Sequence, residues 1–467
     1  MITFVKLSCI CCLLTAIFGS AGNNLCASLS LVVDKTFKMN QKNAIPSTVI
    51  DPSGSPVGIR YFRATTEHPP LRILYPADPT AVDEKPAWWR PHGKVGWFRD
   101  TGFYNFLEGY FAMAFRDKLP RKWMFSWIAV PFLRILSVIM PAAWKKIPNL
   151  HFNAPASKTN RKYPLVVFSH GLTGSGQENL LLCAAWAQRG FVVANVHHQD
   201  GSSCKVQLAD GSWKYYQSAP SMDDSYDLNF RPNQVEIRAN EMKQAYDFVT
   251  STNSKDGTSS MDQDSPSSAC PTQISNLIDP KGPTIAAGFS FGAATAARVC
   301  TMSKSPFTAA ILLDGWFHIQ LTPDIDFCFP QSAFESNSRL GTLPALFLNS
   351  QQFQGYSRLF AATQQLAAAG RSKRSSVPKV HVVPGTGHQS FCDVLFWFWP
   401  LPSKWWTKAL SLGKAEPVLA YQEIVQRTCN FLEGVRDSQL KFSKIETRHE
   451  NDVNKDTKAP MKDRKMA

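Results

Sequence analysis

Gly288-Phe289-Ser290-Phe291-Gly292 sets a hydroxyl between two glycines, after the apolar run 284–287 and before the Ala-rich AATAARVC. A serine presented at a sharp strand-to-helix turn needs small residues two before and two after it, because strand and helix crowd the backbone there. Gly288 and Gly292 meet that need, and the nearby helix N-terminus favours developing negative charge. The chemistry indicated is nucleophilic attack by Ser290. A hydroxyl is a poor nucleophile until a base removes its proton, so a histidine oriented by a carboxylate should follow in the order Ser, acid, His. His318 and His381 sit in or near apolar runs and His449 lies in the charged tail, whereas His388 ends a strand in the turn PGTGHQSF; it is assigned as the base. Asp314 closes AAILLD directly after the nucleophile helix, while the next strand ends in Asn349-Ser350 without a carboxylate. Asp314 is therefore preferred as the acid over Asp324 or Asp326. Backbone N–H groups must meet the oxyanion: one from Phe291, the residue after the nucleophile, and one from Leu172, just past the strand in FSHGLTG.

These residues need strand ends to hold them. Apolar, β-rich runs at 165–171, 191–198, 284–292, 309–315, 345–350 and 380–388 alternate with helical stretches such as ENLLLCAAWAQRG and NQVEIRANEMKQAYDFVTS. Continuous apolar runs of this kind indicate buried parallel strands, and the fold class is α/β: an α/β-hydrolase fold with helices on both faces of a mostly parallel sheet. Residues 71–76 and the run VGIRYFRATT before them read as further short strands. The Ser-rich segment 251–270 reads as a solvent-exposed insertion.

At the amino end Lys6 precedes an apolar run at 7–18 and small residues up to Ala21, the layout of a signal peptide, with an uncleaved anchor as the alternative. The expected organisation is a signal at 1–21, a polar extension at 22–60, a catalytic domain at 61–435 and a charged, disordered tail at 436–467. Export to the secretory pathway or beyond, with peripheral membrane association, follows as the expected location. Eight cysteines lie outside the signal segment, with no CxxC metal spacing.

The chain has 467 residues, 44% of them hydrophobic and 12% aromatic, which excludes a wholly disordered protein, and a formal net charge of +14. The surplus is not spread evenly: residues 111–163 hold ten Lys or Arg against one acid. No nucleic-acid module accompanies it, and no nucleic-acid partner is expected. His197 and His198 are adjacent with no third ligand at metal spacing, so no metal and no cofactor are expected.

FSHGLTGSG, RGFVVANVHHQDGSS, GFSFGAAT, LLDGWF and GHQSFCDVLF occur in that order, and together they resemble the platelet-activating-factor acetylhydrolases of the plasma and intracellular type II group, the group VII phospholipase A2 family. The similarity runs from about residue 71 to 432. It implies a Ser290–Asp314–His388 triad, Leu172 and Phe291 as oxyanion donors, and calcium-independent hydrolysis of the sn-2 acyl ester of phospholipids. The family elbow usually reads GHSFGG, whereas this chain carries Phe289 and Ala293; it also has the Ser-rich insertion and a wider spacing between Asp314 and His388. A general carboxylesterase or triacylglycerol lipase is the nearest alternative, and a non-catalytic binding protein of the same fold is the alternative from another class.

Two stretches suit a lipid surface, on a membrane or a lipoprotein. Residues 121–146 are apolar, bracketed by basic residues and broken by Pro131, Arg134 and Pro141. An interfacial helix would keep Arg134 at the headgroups and bury Trp127, Phe132, Leu136 and Ile139; internal packing and a bilayer span are the other readings. Residues 396–410 add an aromatic cluster, with Trp397, Trp399, Trp405 and Trp406 read as docking rings against the alternative of an aromatic core. In the resembled family, apolar helices in corresponding places dock on lipoprotein or membrane surfaces. Oligomeric state is not legible.

Overall fold

The computed structural model describes residues 45–81, 94–100, 102–115, 129–139, 145–219, 228–251, 270–320, 326–369, 380–398 and 410–456. Its strands are β1 (Val57–Phe62), β2 (Leu71–Pro76), β3 (Lys94–Gly96), β4 (Lys146–Phe152), β5 (Leu165–Ser169), β6 (Val192–Val196), β7 (Lys205–Gln207), β8 (Trp213–Tyr215), β9 (Thr284–Phe289), β10 (Ala309–Leu313), β11 (His318–Gln320), β12 (Asp326–Cys328), β13 (Ala345–Ser350) and β14 (Val380–Val383). Ten of them form one sheet in the order β14-β13-β10-β9-β5-β6-β2-β1-β4-β3. From β14 to β6 every pairing is parallel, and β2 turns the sheet antiparallel. This is the α/β-hydrolase architecture expected from the apolar runs.

Strand periodicity sorts the core into two layers. Val166 and Phe168 of β5, with Ile285 and Ala287 of β9, face one layer, whose helices are α3 (Leu180–Gln188) and the buried start of α8 (Pro417–Asp456). Leu165, Val167 and Ala286 face the other, covered by α4 (Phe230–Thr250), α5 (Phe291–Thr301) and α7 (Ser357–Ala368). Register then aligns the strand ends: Ser169 pairs with Gly288, Phe289 with Leu313 and Leu313 with Leu348. Residues just past these ends converge on one edge, where parallel sheets present their sites.

Two expectations change. Ile45, Val49 and Ile50 are buried against the first layer, so the last part of the stretch 22–60 is core rather than polar extension. Helix α8 runs on to Asp456 through residues read as a disordered tail; no Gly or Pro stands between Gly434 and Pro460, and the Lys-, Glu- and Arg-rich composition favours continuing a helix whose first turns are packed. Between β2 and β5 the chain adds β4 and the edge strand β3, with α1 (Gly102–Phe115) and α2 (Val130–Ile139) between them in sequence. Most of the Ser-rich insertion and the whole signal segment lie outside the described residues. Among the described residues no helix is long and apolar enough to cross a membrane.

Asp393 ties this layer together. Its buried carboxylate accepts from Trp97 Nε1 (2.8 Å), Leu181 N (2.6 Å) and Tyr421 Oη (2.6 Å), joining the β3 edge, α3 and α8. Asp393→Ala leaves three buried donors unpaired, at ~1–3 kcal/mol each, and is expected to lower the urea midpoint by the equivalent of several kcal/mol at unchanged m. Burial pushes the Asp393 carboxyl up to about 7. The folded state then holds its proton more tightly than the unfolded state, so this residue's contribution to stability falls as pH rises from the ordinary carboxylate range to about 7 and levels off above it. Denaturation curves across that window should show the slope in the native chain and its loss in Asp393→Ala.

Candidate active site

Ser290 stands between β9 and α5 with φ 57° and ψ −119°, a left-handed backbone that an L-residue adopts at a cost. The turn is locked by close backbone approach. A Cβ on Gly288 would fall 2.0 Å from Gly292 O, and one on Gly292 would fall 2.0 Å from Ser169 O and 2.6 Å from His170 O. Ser290 N donates to Leu313 O (2.9 Å) and Ser290 O accepts from Trp316 N (3.1 Å), so the neighbouring strand holds the turn from both sides.

His388 follows β14 in a short 3-10 turn, and its Nε2 lies 3.0 Å from Ser290 Oγ. On the other side Nδ1 lies 2.6 Å from Asp314 Oδ2. Asp314, at the end of β10, is fully buried, with φ 45°. Ser350 N donates to its Oδ1 (2.7 Å) and Ser350 Oγ to its Oδ2 (2.8 Å). The structure therefore brings the three residues picked from the sequence into one hydrogen-bonded chain across the ends of β9, β10 and β14. The arrangement can do base-assisted nucleophilic chemistry: a serine proton has an acceptor, and the imidazolium that results has a fixed anion.

The imidazole is itself fixed by residues that sequence reasoning passed over. Ser350 caps the short helix α6 (Gln351–Gly355) by accepting from Phe353 N (3.0 Å), and that helix presents Gln352 Oε1 to His388 N (2.8 Å). The Phe353 ring stacks on the imidazole at 4.3 Å and 3°, and Phe289 stacks nearby at 4.7 Å and 28°. Two aromatic rings thus stack on a group that becomes cationic during catalysis of this type, an arrangement that favours the cation. The Phe289 that departs from the GHSFGG pattern is one of them. Asn349-Ser350 was passed over because it offers no carboxylate; Ser350 serves by hydrogen-bonding one.

Leu172 and Phe291 lie on the segments beside Ser290. A Cβ on Gly171 would sit 3.3 Å from Ser290 Cβ, which sets the 170–173 turn against the nucleophile. Thr173 N donates to Ser202 O (2.7 Å) and Gly174 N to Gly171 O (3.2 Å), anchoring that turn on either side of Leu172. Phe291 is the first residue of α5, where the N–H has no carbonyl within the helix to meet.

Behind the turn lies a buried polar layer. Ser169 Oγ is 2.8 Å from His198 Nε2, and His198 Nδ1 is 2.6 Å from Glu241 Oε2, whose other oxygen accepts from Gln199 N (3.0 Å). Burial pushes both His197 and His198 well below the usual imidazole range and the Glu241 carboxyl above the usual carboxylate range. Among the described residues no three His, Cys, Asp or Glu side chains group to hold a metal ion.

The docking residues divide. Phe132 is 52% exposed on α2, and Leu136 is partly exposed; Ile139 ends the helix with its side chain outside the described residues, as Trp127, Trp399, Trp405 and Trp406 are. Trp397 is corrected: it is buried, with Phe98 and Phe106 edge-on at 4.9 and 5.1 Å, and serves as core. Lys145, counted in the basic surplus, is half-buried and donates to Phe396 O (2.7 Å).

A family model described as platelet-activating factor acetylhydrolase, isoform II, matches residues 134–455, which include Leu172, Ser290, Phe291, Asp314 and His388. The chain is 28% identical over 274 residues to a platelet-activating factor acetylhydrolase of Bos taurus, covering 56% of this chain and 53% of that protein. It is 27% identical over 341 residues to one of Canis lupus familiaris, covering 70% and 63%. The chain therefore spans less than two thirds of the length of these relatives. A solved ferulic acid esterase from Streptomyces cinnamoneus superposes with a TM-score of 0.50 at 17% identity, covering 85% of this chain and 92% of that one, and shares the fold.

Ser350→Ala removes one donor from Asp314 and the cap of the helix that carries Gln352 and Phe353. With 4-nitrophenyl acetate as the acyl donor, kcat should fall by about tenfold or more while KM stays within about threefold, the signature of a misoriented base.

Proposed function

The chain belongs to the platelet-activating factor acetylhydrolase isoform II family, and on that premise we propose that it is a serine hydrolase of the sn-2 acyl ester of phospholipids. Ser290 Oγ attacks the ester carbonyl while His388 Nε2 takes its proton. The N–H groups of Leu172 and Phe291 donate to the carbonyl oxygen as it becomes an anion, each donor contributing on the order of 3 kcal/mol in the transition state. His388 then returns the proton to the departing lysophospholipid oxygen. Water, deprotonated by the same imidazole, releases the fatty acid from the acyl-enzyme, and Asp314 holds the imidazolium throughout. The nucleophile is activated by imidazole at every step, so the reaction as written is independent of calcium.

The observation that carries this reading is the unbroken chain Ser290 Oγ, His388, Asp314 at 3.0 and 2.6 Å, set at strand ends in a chain whose Bos taurus and Canis lupus familiaris relatives bear the acetylhydrolase name. Access to lipid would come through α2. Phe132 is 52% exposed there, Pro131 and Arg134 are exposed beside it, and Met113 of α1 is 36% exposed. An exposed ring beside a basic side chain is what an anionic lipid surface would take up. The amino-terminal pattern adds export to the proposal.

Ser290→Ala should abolish release of fatty acid from phosphatidylcholine vesicles, and the native enzyme should be indifferent to chelator. Activity confined to soluble short-chain esters would instead favour a general carboxylesterase. Phe132→Asp should weaken binding to anionic vesicles by about tenfold, the equivalent of burying one aromatic ring less, and leave hydrolysis of a soluble ester unchanged. Vesicle binding unaffected by that change and by salt would remove α2 as the docking face.

A further inference from the structure

Arg238 of α4 is fully buried, and nothing in the triad uses it. Its Nη2 donates to the carbonyl oxygen of His170 and lies 3.3 Å from Ser169 Oγ. Its guanidinium carbon sits 4.9 Å from the centre of the Phe291 ring. One side chain therefore touches both segments that bear the oxyanion donors: the peptide carbonyl two residues before Leu172 N, and the side chain of Phe291. These segments also abut each other, since a Cβ on Gly292 would strike Ser169 O and His170 O.

The siting is expensive. Arg238 Nε and Nη1 have no hydrogen-bond partner among the described residues, and a buried guanidinium with unpaired N–H groups costs several kcal/mol unless something offsets it. Burial lowers its pKa to about 10, which leaves it charged at neutral pH. An apolar side chain of similar length would fill the space more cheaply, but it could neither fix the His170 carbonyl nor place positive charge behind the donor pair.

We infer that Arg238 is the positioning residue of the oxyanion hole, clamping the Leu172 and Phe291 donors into one register. The inference rests on the hydrolase reading above. The clamp acts on the transition state, where the oxygen becomes an anion, and hardly on the bound ester, because ground-state binding gains little from donors aimed at the tetrahedral oxygen.

The test compares Arg238→Lys, Arg238→Met and Ser290→Ala in the full chain, measuring kcat and KM for a short-chain ester and the inhibition constant of a trifluoromethyl ketone, whose serine adduct carries an oxyanion. Arg238→Met should lower kcat by about 10² with KM within about threefold, and should weaken the ketone by a similar factor; Arg238→Lys should recover part of both. If Arg238→Met does not fold, Arg238→Lys decides, with intermediate losses in kcat and ketone affinity expected. Folded variants with native kcat and ketone affinity, a loss confined to KM, or a loss of kcat without a parallel loss of ketone affinity would each overturn the positioning role. Activity retained in Ser290→Ala would overturn the hydrolase reading itself, whereas an inactive Ser290→Ala beside fully active Arg238 variants would overturn the clamp alone.

Discussion

Asp314 is a carboxylate at zero exposure, and an isolated anion in that position would cost many times the free energy a protein has to spare. Ser350 answers with its N–H and its hydroxyl, and His388 with Nδ1. Because these partners come from the end of β13 and the turn after β14, satisfying the carboxylate fixes the spacing of three parallel strand ends. Helix α6 inherits that order through Ser350, its cap, and hands it on to the imidazole through Gln352 and Phe353. The His388 imidazole is thus positioned twice, once by Asp314 and once by a helix that the same serine caps.

The placement of Ser290 depends on a second constraint, the absence of side chains. Gly288 and Gly292 let the β9–α5 turn lie against Ser169 and His170 at distances no Cβ would allow. That approach brings the 170–173 turn beside Ser290 and leaves behind it a buried layer in which His198 bonds His170 and Glu241 and Arg238 reaches Ser169. The active edge is built from two contrasting devices: backbone packed tightly on backbone in front, and a polar network sealed behind.

Much of this was legible in the sequence. The six apolar runs became parallel strands because continuous hydrophobicity is what a sheet covered on both faces requires. Ser290, Asp314 and His388, which the structure joins by hydrogen bonds, could be picked out because each stands at the end of such a run. Positioning residues were harder to see, since Ser350, Gln352 and Phe353 follow a strand in no recognisable motif and Arg238 sits in a helix whose other residues alternate polar and apolar in an ordinary way. Only three-dimensional proximity distinguishes them. Trp397 misled for the reverse reason: an aromatic cluster reads the same whether it faces lipid or its own core, and here Phe98 and Phe106, distant in sequence, cover it. Charge misled at Lys145, whose ammonium turns to a carbonyl within the fold.

The central claim is that Ser290 is a nucleophile made reactive by this hydrogen-bonded chain. The most direct measurement is peptide mass spectrometry after treating the folded protein with a fluorophosphonate. The account predicts a single stoichiometric adduct on Ser290, lost when the protein is unfolded before treatment. No adduct on Ser290, or labelling spread over other serines and equal in the unfolded chain, would contradict it.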